Sequence, residues 1–270
     1  MSIPSSPSSF LNSFNRMQRL FTTVSRAIPR SRPLTAKHLP NTTSRFITTT
    51  TTTKMGSIPP TVTSTKEAGK ADGFLSLIKA RRTYYPLNKT LPIAAERIQT
   101  IVSEALQHVP SSFNSQSNRV VVLFGAEHDK LWDITAEILK GIVPAEQWES
   151  TGKKMAMFRA AAGTALFFED QVPIEDLQAK FALYADRFPT WANHSSAMLQ
   201  FAVWTALEAE GLGANLQHYN PLIDARIAEE WKLPTTWKLT AQLVFGGKEV
   251  ADPGEKTFQP LEEKFKVFGA

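Results

Sequence analysis

Cysteine is absent from all 270 residues of the chain. Its absence excludes disulfide bonds, thiolate metal sites, cysteine-ligated iron–sulfur clusters and cysteine nucleophiles. The sequence also lacks an apolar run long enough to cross a bilayer, so we expect no transmembrane helix and no membrane partner. Thiol chemistry is therefore not the basis of this protein's function.

Acidic residues are missing from the first 66 positions, although these positions carry nine of the 30 Lys and Arg residues. Residues 67–270 consequently hold 21 basic and 25 acidic residues, a net charge of −4, whereas the whole chain has +5. A nucleic-acid-binding domain presents a basic surface. We therefore expect no nucleic-acid partner for the part of the chain that folds.

The charge asymmetry marks residues 1–66, rich in Ser, Thr, Pro and Arg, as a separate region. Such a segment buries too little apolar surface to fold, so we expect it to be disordered and residues 67–270 to form the folded domain. An acid-free, Arg-rich stretch with apolar residues at helical spacing, here residues 10–28, is typical of a mitochondrial transit peptide. Two alternatives stay open: a plain disordered tail, or an extension upstream of a working start at Met55, which would leave the product in the cytoplasm and nucleus.

Apolar periodicity after residue 67 predicts both helices and strands. The predicted helices cover residues 74–80, 92–109, 127–140, 148–162, 174–184, 191–210 and 221–231. The predicted strands, 120–124, 164–168 and 239–245, are apolar on both faces and so should be interior. Gly246 and Gly247 should end the last strand, residues 215–218 should be extended, and residues 248–270 should form a polar arm with an apolar tip. Strands and helices do not alternate regularly, so we expect an α+β fold rather than a doubly wound domain.

The helix predicted over residues 191–210 is apolar around most of its circumference. A helix of this kind must be buried. The sequence leaves open whether it lies at the centre of the domain or against a second subunit.

Two guanidinium groups and a hydroxyl, those of Arg81, Arg82 and Thr83, follow the first predicted helix. Guanidinium groups match phosphate oxygens in a two-pronged geometry, and a hydroxyl adds a further donor. The simpler alternative is a solvated basic helix end, which the helix dipole also favours. The adjoining Tyr84-Tyr85 pair argues slightly against that alternative.

A loop of small hydroxyl and amide side chains, Pro110 to Gln116, lies between the second predicted helix and the first predicted strand. Its polar side chains supply donors and acceptors for a flat polar ring. A helix C-terminal turn favours the same residue types and is the alternative. A phosphate site and a ring-binding loop together suit flavin mononucleotide (FMN), which has a phosphate at one end and a polar ring at the other.

Other short motifs that could indicate nucleotide binding, metal binding or hydrolysis lack the sequence surroundings that these functions require. Gly211-Leu212-Gly213 follows a helix, whereas a dinucleotide fingerprint needs a preceding strand. Gly246-Gly247-Lys248 lacks the spacing of a phosphate-binding P-loop. The histidines show no metal-ligand spacing, so we predict no metal site, and no G-x-S-x-G motif presents a nucleophilic serine.

Five motifs in a fixed order resemble those of the nitroreductase family, most closely its fungal Frm2-like branch. They are Arg-Arg-Thr at 81–83, Pro-Ser-Ser-Phe-Asn-Ser-Gln at 110–116, Thr-Ala-Leu-Phe-Phe-Glu-Asp at 164–170, Glu-Gly-Leu-Gly-Ala-Asn-Leu-Gln-His-Tyr-Asn-Pro at 210–221 and Gly-Glu-Lys-Thr-Phe at 254–258. The resemblance covers residues 72–270. It implies a mostly antiparallel central sheet flanked by helices, in an intertwined homodimer with one FMN in each of two clefts.

The resemblance also implies a ping-pong reaction. NAD(P)H gives hydride to the flavin N5 and leaves, and a nitroaromatic or quinone-like acceptor then takes the electrons. The flavin carries the redox chemistry, so no catalytic side chain is expected. An oxidative-stress role is also implied.

The resemblance assigns cofactor-binding roles by position. Arg81, Arg82 and Thr83 match the contacts to the FMN phosphate and ribityl chain, and Lys256 matches a late basic residue on the phosphate. The loop residues Pro110, Ser111, Ser112, Asn114 and Gln116 match the segment that reaches the flavin of the other subunit. Gln217, His218 and Tyr219 match the segment whose backbone lies along the ring, with an N–H near N5.

Two positions depart from the family pattern. Tyr85, which we include among the cofactor-binding candidates, and Phe258 stand where many members carry a basic residue. Two other functions stay open: a flavin- or lipid-responsive regulatory protein with little turnover, and a structural dimeric module without cofactor.

Overall fold

The computed structural model describes residues 69–269. The leader predicted for residues 1–66 lies outside the described residues. Seven helices and five strands are present in the described part. The helices are α1 (Asp72–Ala80), α2 (Ala95–His108), α3 (Gly125–Ile142), α4 (Ala145–Arg159), α5 (Gln171–Lys180), α6 (Phe188–Ala209) and α7 (Asp224–Glu230). The strands are β1 (Leu87–Asn88), β2 (Asn118–Phe124), β3 (Gly163–Asp170), β4 (Gly213–Gln217) and β5 (Trp237–Lys248).

The five strands form one sheet in which β5 pairs with β3, β4 and β1, and β3 pairs with β2. Every pairing in the described sheet is antiparallel. Helices cover both faces of the sheet. Successive residues of β3 point to opposite faces, so this strand contributes to a separate core on each side. Leu166 and Phe168 pack in a core with α3, α4 and α7, and Ala165 and Phe167 pack in a second core with α2 and α6. The predicted α+β architecture with a mostly antiparallel sheet is confirmed.

Several element boundaries differ from the predictions. The helix predicted from Pro92 begins only at Ala95, because Leu91 and Ile93 pack against the α2–α6 core instead of entering the helix. The helix predicted over 174–184 breaks at Phe181, whose ring joins a group of aromatic side chains, and a 3₁₀ turn follows. Residues 220–223 form a turn, so the helix predicted from Pro221 begins at Asp224.

The first predicted strand is not interior. Strand β2 pairs only with β3 and lies at an edge of the sheet, and Val120, Val121 and Val122 are only half-buried. The interior predictions for β3 and most of β5 are correct. Strand β5 also continues through Gly246 and Gly247 instead of ending there. A Cβ at either glycine would overlap Asn88 of β1, so the glycines allow the two strands to approach.

Helix α6 is buried on one face and exposes apolar side chains on others. Leu199, Val203 and Leu207 are fully buried against the sheet. On other faces, Met198 and Phe201 are 43% and 37% exposed. Burial within one protomer therefore accounts for only part of the apolar surface of this helix.

Residues 249–269 form the predicted polar arm, which contains a single 3₁₀ turn at Leu261–Glu263. Its apolar side chains, including Phe258, Leu261, Phe265 and Phe268, are exposed. None of the helices between residues 69 and 269 is long and apolar enough to span a membrane.

Candidate functional site

Helix α1 ends at the first of the predicted phosphate ligands. The backbone of Arg81 is extended, and its N–H donates to the Leu77 carbonyl as the last contact of the helix. The following residues run alongside β4, since the Tyr84 N–H donates to the Ala214 carbonyl at 3.0 Å and Asn215 Nδ2 donates to the Tyr84 carbonyl at 2.8 Å. The end of α1 is therefore fixed against a strand of the central sheet.

The Arg81 guanidinium lies over the ring of Trp204 on α6, with Cζ 4.5 Å from the ring centroid. Its Nη1 is buried and has no hydrogen-bond partner. A buried donor of a charged group that lacks a partner is costly, and an anion at this position would remove the cost.

Arg82 and Lys256 complete the predicted cationic group. Arg82 Nη2 donates to the Gly254 carbonyl, and Lys256 Nζ donates to the Lys79 carbonyl at 2.9 Å. Partial burial, together with the charges of Arg81 and Arg82, lowers the pKa of Lys256. Lys256 of the C-terminal arm is thus a third cation at the end of α1. The sequence order alone does not reveal this proximity.

Carbonyl oxygens, not carboxylates, accept the hydrogen bonds of the Arg82 and Lys256 side chains. Within residues 69–269 no salt bridge involves Arg81, Arg82 or Lys256. Thr83 is half-buried next to them in the chain. The set of donors, one of them buried and without a partner, fits the phosphate group of FMN.

Two charged residues near this group were missed by the sequence analysis. Lys248, at the end of β5, places its Nζ 4.6 Å from the ring centroid of Tyr84. Glu208 of α6 accepts the Arg82 N–H at 2.8 Å and the Trp204 Nε1–H at 2.7 Å. Burial raises the pKa of Glu208, and these hydrogen bonds oppose the rise. More than a hundred residues separate Arg82 from Glu208, so no local pattern links them.

The second predicted group begins at Gln217, the last residue of β4, and continues beyond the strand. Gln217 Nε2 donates to Asn215 Oδ1 at 2.8 Å, and the Tyr219 N–H donates to Gln242 Oε1 at 2.7 Å. The Tyr219 ring packs edge-on against Trp132, and burial raises the pKa of its hydroxyl. Tyr219 is therefore engaged inside the protomer through both its N–H and its ring, whereas His218 is exposed.

Strand β4 connects the cationic group to this second group. Ala214, which contacts the segment after Arg81, precedes Gln217 by three residues, a distance of about 10 Å along a strand. The structure thus brings the predicted phosphate ligands and the predicted ring-facing segment to neighbouring positions. Tyr85 and Phe258, the two departures, are 42% and 79% exposed.

The third predicted group, the loop from Pro110 to Gln116, has an unusual backbone. Phe113, Asn114 and Gln116 have φ angles of 55°, 52° and 47°, in the left-handed region that favours glycine. The Ser111 hydroxyl accepts the Gln116 N–H at 2.9 Å. Ser112 lies in the 3₁₀ turn, and Pro110 and Asn114 are exposed.

Contacts outside the loop hold this backbone in place. Arg119 Nη1 donates to the Gln116 carbonyl at 2.6 Å, and Arg119 Nη2 pairs with Asp170 at 2.9 Å. The Phe113 ring stacks on Trp191, with centroids 5.9 Å apart, and also contacts Phe181. Sequence reasoning named the polar loop residues but missed Phe113 and Arg119, which fix the shape of the loop.

One protomer does not bring this loop to the cationic group. Phe113 contacts Trp191 near the start of α6, and Arg81 contacts Trp204 near its end. These tryptophans are thirteen residues apart, about 20 Å along the helix.

Two further buried polar groups lie at the end of the β2–β3 pair. Glu169 and Asn118 face each other across the strands, and each has a side-chain oxygen without a partner. Burial raises the pKa of Glu169 to about 7, against the opposing charge of Lys238. Among the described side chains, no group of three His, Asp or Glu residues could hold a metal ion.

Comparison with known proteins gives concordant matches. The Nitroreductase family profile matches residues 78–247. Two proteins of Saccharomyces cerevisiae, HBN1 and the nitroreductase FRM2, are 44% identical over 189 residues and 38% identical over 187 residues, and each match covers 68% of this chain and 92% of the relative.

Solved structures agree with the sequence matches. Nitroreductase CinD from Lactococcus lactis in complex with 4-nitrophenol is 46% identical, with a TM-score of 0.66 and coverage of 72% of this chain and 99% of CinD. Its complex with nicotinic acid gives 47% identity and a TM-score of 0.67 at the same coverage. A nitroreductase with bound FMN from Desulfitobacterium hafniense shares the fold at 14% identity, with a TM-score of 0.54 and coverage of 72% and 97%.

An antiparallel sheet between two helical layers defines an α+β protein, and the cations without carboxylate partners beside one strand form a candidate anion-binding site. The family profile and the two yeast relatives make the assignment specific. The chain belongs to the nitroreductase family, in its fungal Frm2-like branch. This membership supports an oxidoreductase function.

Proposed function

We propose that the protein is an FMN-dependent oxidoreductase that takes hydride from NAD(P)H and passes electrons to nitroaromatic or quinone-like acceptors in a ping-pong cycle. The observation that carries the proposal is the buried Arg81 Nη1 without a partner, next to Arg82 and Lys256. FMN, when bound, supplies hydride acceptance and donation at its N5. The complexes of CinD with 4-nitrophenol and with nicotinic acid support a nitro acceptor and a nicotinamide donor.

The protein's own residues would bind and orient the cofactor. Arg81, Arg82 and Lys256 would hold the phosphate, and Thr83 would add a hydroxyl beside the ribityl chain. The segment Gln217–Tyr219 would lie along the ring. Because the Tyr219 N–H already donates to Gln242, the exposed His218 is the residue of this segment that can face a ligand.

We further propose that the active form is a homodimer in which the loop Pro110–Gln116 of one subunit completes the site of the other. The loop and the cationic group are separated by about 20 Å along α6, which is thirteen residues of helix. This separation supports the arrangement. Exposed Met198 and Phe201 on α6 supply apolar surface for the contact. Obligate dimer interfaces are apolar in this way.

The function is tested by spectroscopy of the purified protein. We expect FMN to bind and to give a flavin absorption band, and NADH or NADPH added under anaerobic conditions to bleach it. Addition of 4-nitrophenol or a quinone should then restore the oxidised spectrum. A protein that binds no FMN would contradict the proposal, and a flavin that stays oxidised with both nicotinamides would favour a regulatory binding protein.

We also propose that residues 1–66 direct the protein to mitochondria and are removed there. The Arg-rich, acid-free composition of this segment supports the proposal. N-terminal sequencing of the protein isolated from mitochondria should find a start within residues 40–67 that differs from Met55. Recovery of the protein only from cytosol, starting at Met55, would support the alternative start.

A further inference from the structure

Trp204 and Glu208 lie one turn apart on α6, and both face the segment Arg81–Arg82. The Trp204 ring stacks under the Arg81 guanidinium at 4.5 Å. Its indole Nε1–H donates to Glu208 Oε1 at 2.7 Å, while Glu208 Oε2 accepts the Arg82 N–H at 2.8 Å. One tryptophan therefore contacts both the cation and the carboxylate of the anion site.

Glu208 lies close enough to Arg81 for the two charges to interact, and Arg81 counteracts the raised pKa of Glu208. A carboxylate beside a guanidinium ordinarily forms a two-pronged ion pair with it. Here the two side chains form no salt bridge, and each carboxylate oxygen of Glu208 instead accepts a hydrogen bond from an uncharged N–H. Arg81 Nη1 is left buried and without a partner.

We propose that Trp204 holds Glu208 away from Arg81 and thereby keeps Arg81 Nη1 free for the anionic group of the ligand. The identity of that group as the FMN phosphate rests on the proposed function. Trp204 and Glu208 are positioning residues in this scheme, since they act through Arg81. Without the indole donor, Glu208 would turn to Arg81, and a phosphate would have to displace an internal carboxylate.

Trp204→Phe removes the donor and keeps an aromatic ring beneath Arg81. We expect this variant to bind FMN about 10-fold to 100-fold more weakly than the wild type, the range for losing one hydrogen bond to a charged group. Riboflavin, which has no phosphate, should bind both proteins equally. Equal FMN affinity of variant and wild type would overturn the proposal.

The double variant separates loss of the donor from loss of stacking. Glu208→Gln cannot form an ion pair with Arg81, so W204F/E208Q should recover FMN affinity to within about threefold of the wild type. Trp204→His retains a ring N–H and should bind FMN more tightly than Trp204→Phe. A double variant as weak as Trp204→Phe, or equal weakening by His and Phe, would assign the effect to stacking and overturn the proposal.

The chain offers a matched control elsewhere. Trp231 Nε1–H donates to Glu127 Oε2 at 3.0 Å, which is the same type of pair without a neighbouring Arg81. Trp231→Phe should leave the FMN and riboflavin affinities unchanged. Melting temperatures of all variants verify that they fold before dissociation constants are compared.

Inorganic phosphate distinguishes failure of this proposal from failure of the proposed function. If the wild type bound no FMN but phosphate raised its melting temperature, and did so less in Trp204→Phe, the role of Trp204 would stand and the FMN function would fail. If FMN bound the wild type and Trp204→Phe equally, the function would stand and this proposal would fail. A wild type that responds to neither ligand overturns both.

Discussion

Arg81 is placed by the end of a helix and oriented by an aromatic ring from another element. Its N–H donates to the Leu77 carbonyl where the backbone leaves α1, and its guanidinium Cζ lies 4.5 Å from the ring centroid of Trp204. A stacked guanidinium has few rotamers left to lose when it binds an anion. The side chain is therefore prepared for a ligand in the absence of one.

Arg81→Ala should weaken FMN binding far more than it lowers folding stability. We expect about a 10-fold to 100-fold rise in the FMN dissociation constant with little change for riboflavin, because only the phosphate contact is lost. Arg97→Ala, which removes an exposed ion pair with Glu210, is the control and should leave both affinities unchanged. Equal FMN retention by wild type and Arg81→Ala would refute the phosphate assignment.

His128 is buried as a neutral ring. Its Nε2 lies 3.1 Å from the Phe158 carbonyl, which only accepts, so Nε2 carries the proton and Nδ1 accepts from the Thr164 hydroxyl at 2.9 Å. Burial, with a contribution from Lys89, lowers the pKa of His128 to about 4. The unfolded chain therefore takes up a proton more readily than the folded one.

Folding stability should fall as the pH drops from about 6.5 to about 4, because only the unfolded His128 is protonated in that interval. The full contribution, present above pH 6.5, is about 3 kcal/mol for a pKa lowered from 6.5 to about 4. Urea unfolding across this range measures it. His128→Gln should reduce the pH dependence while lowering stability, and the exposed His194→Gln should leave the wild-type profile unchanged; identical profiles for His128→Gln and wild type would contradict the assignment.

The loop between α2 and β2 gains its shape from neighbours on other elements. Three residues without the freedom of glycine adopt left-handed backbones, which costs on the order of 1 kcal/mol each. Arg119 and Phe113 offset that cost by holding the loop to β3 and α6. Contacts with β3 and α6 thus hold the loop in this conformation.

Arg119→Gln should loosen this loop. We expect a loss of about 1–2 kcal/mol in folding stability from its charged hydrogen bonds. Hydrogen exchange of residues 111–117 should become faster, and FMN and riboflavin affinities should fall together if the loop contacts the ring end of the flavin as proposed. Arg226→Gln, an exposed arginine on α7, is the control, and an unaltered exchange rate in the loop would contradict the role of Arg119.

Elements with a continuous apolar pattern were predictable from sequence. Features that depend on strand pairing or on contacts with distant residues were not. Strand β3 is buried along its whole length and was identified. Strand β2 has a similarly apolar centre, but its edge position depends on which strands pair with it. The left-handed conformation of Phe113 arises from aromatic contacts with residues about seventy positions away, so composition alone predicted a turn of unspecified shape.

In the whole molecule, two incomplete half-sites should be joined by dimerisation. A mixed dimer of Arg81→Ala and Arg119→Gln subunits would contain one site with both defects and one site with none. We therefore expect refolded mixtures to recover FMN binding at one flavin per mixed dimer, although each variant alone binds weakly. No recovery in the mixture would show that both groups act within a single subunit.

The candidate site was predictable where neighbouring residues carry it, as with the cationic triplet 81–83. The contributions of Trp204, Glu208 and Lys248 depend on the tertiary structure, because each lies on an element far along the chain from Arg81. The same holds for Tyr219, which belongs to the segment whose backbone was expected along the flavin ring and whose own N–H donates to Gln242. Sequence order therefore predicts a candidate site, and packing decides which atoms face it.

Gly246 and Gly247 have a consequence for the genetics of this protein. Any side chain there would collide with Asn88 and displace β1, and with it the segment that begins at Arg81. In a random-mutagenesis screen for flavin retention, substitutions at these glycines would lose flavin as substitutions of the proposed cofactor contacts would. A map of sensitive positions drawn from such a screen would therefore outline the scaffold behind the arginines as well as the ligand contacts.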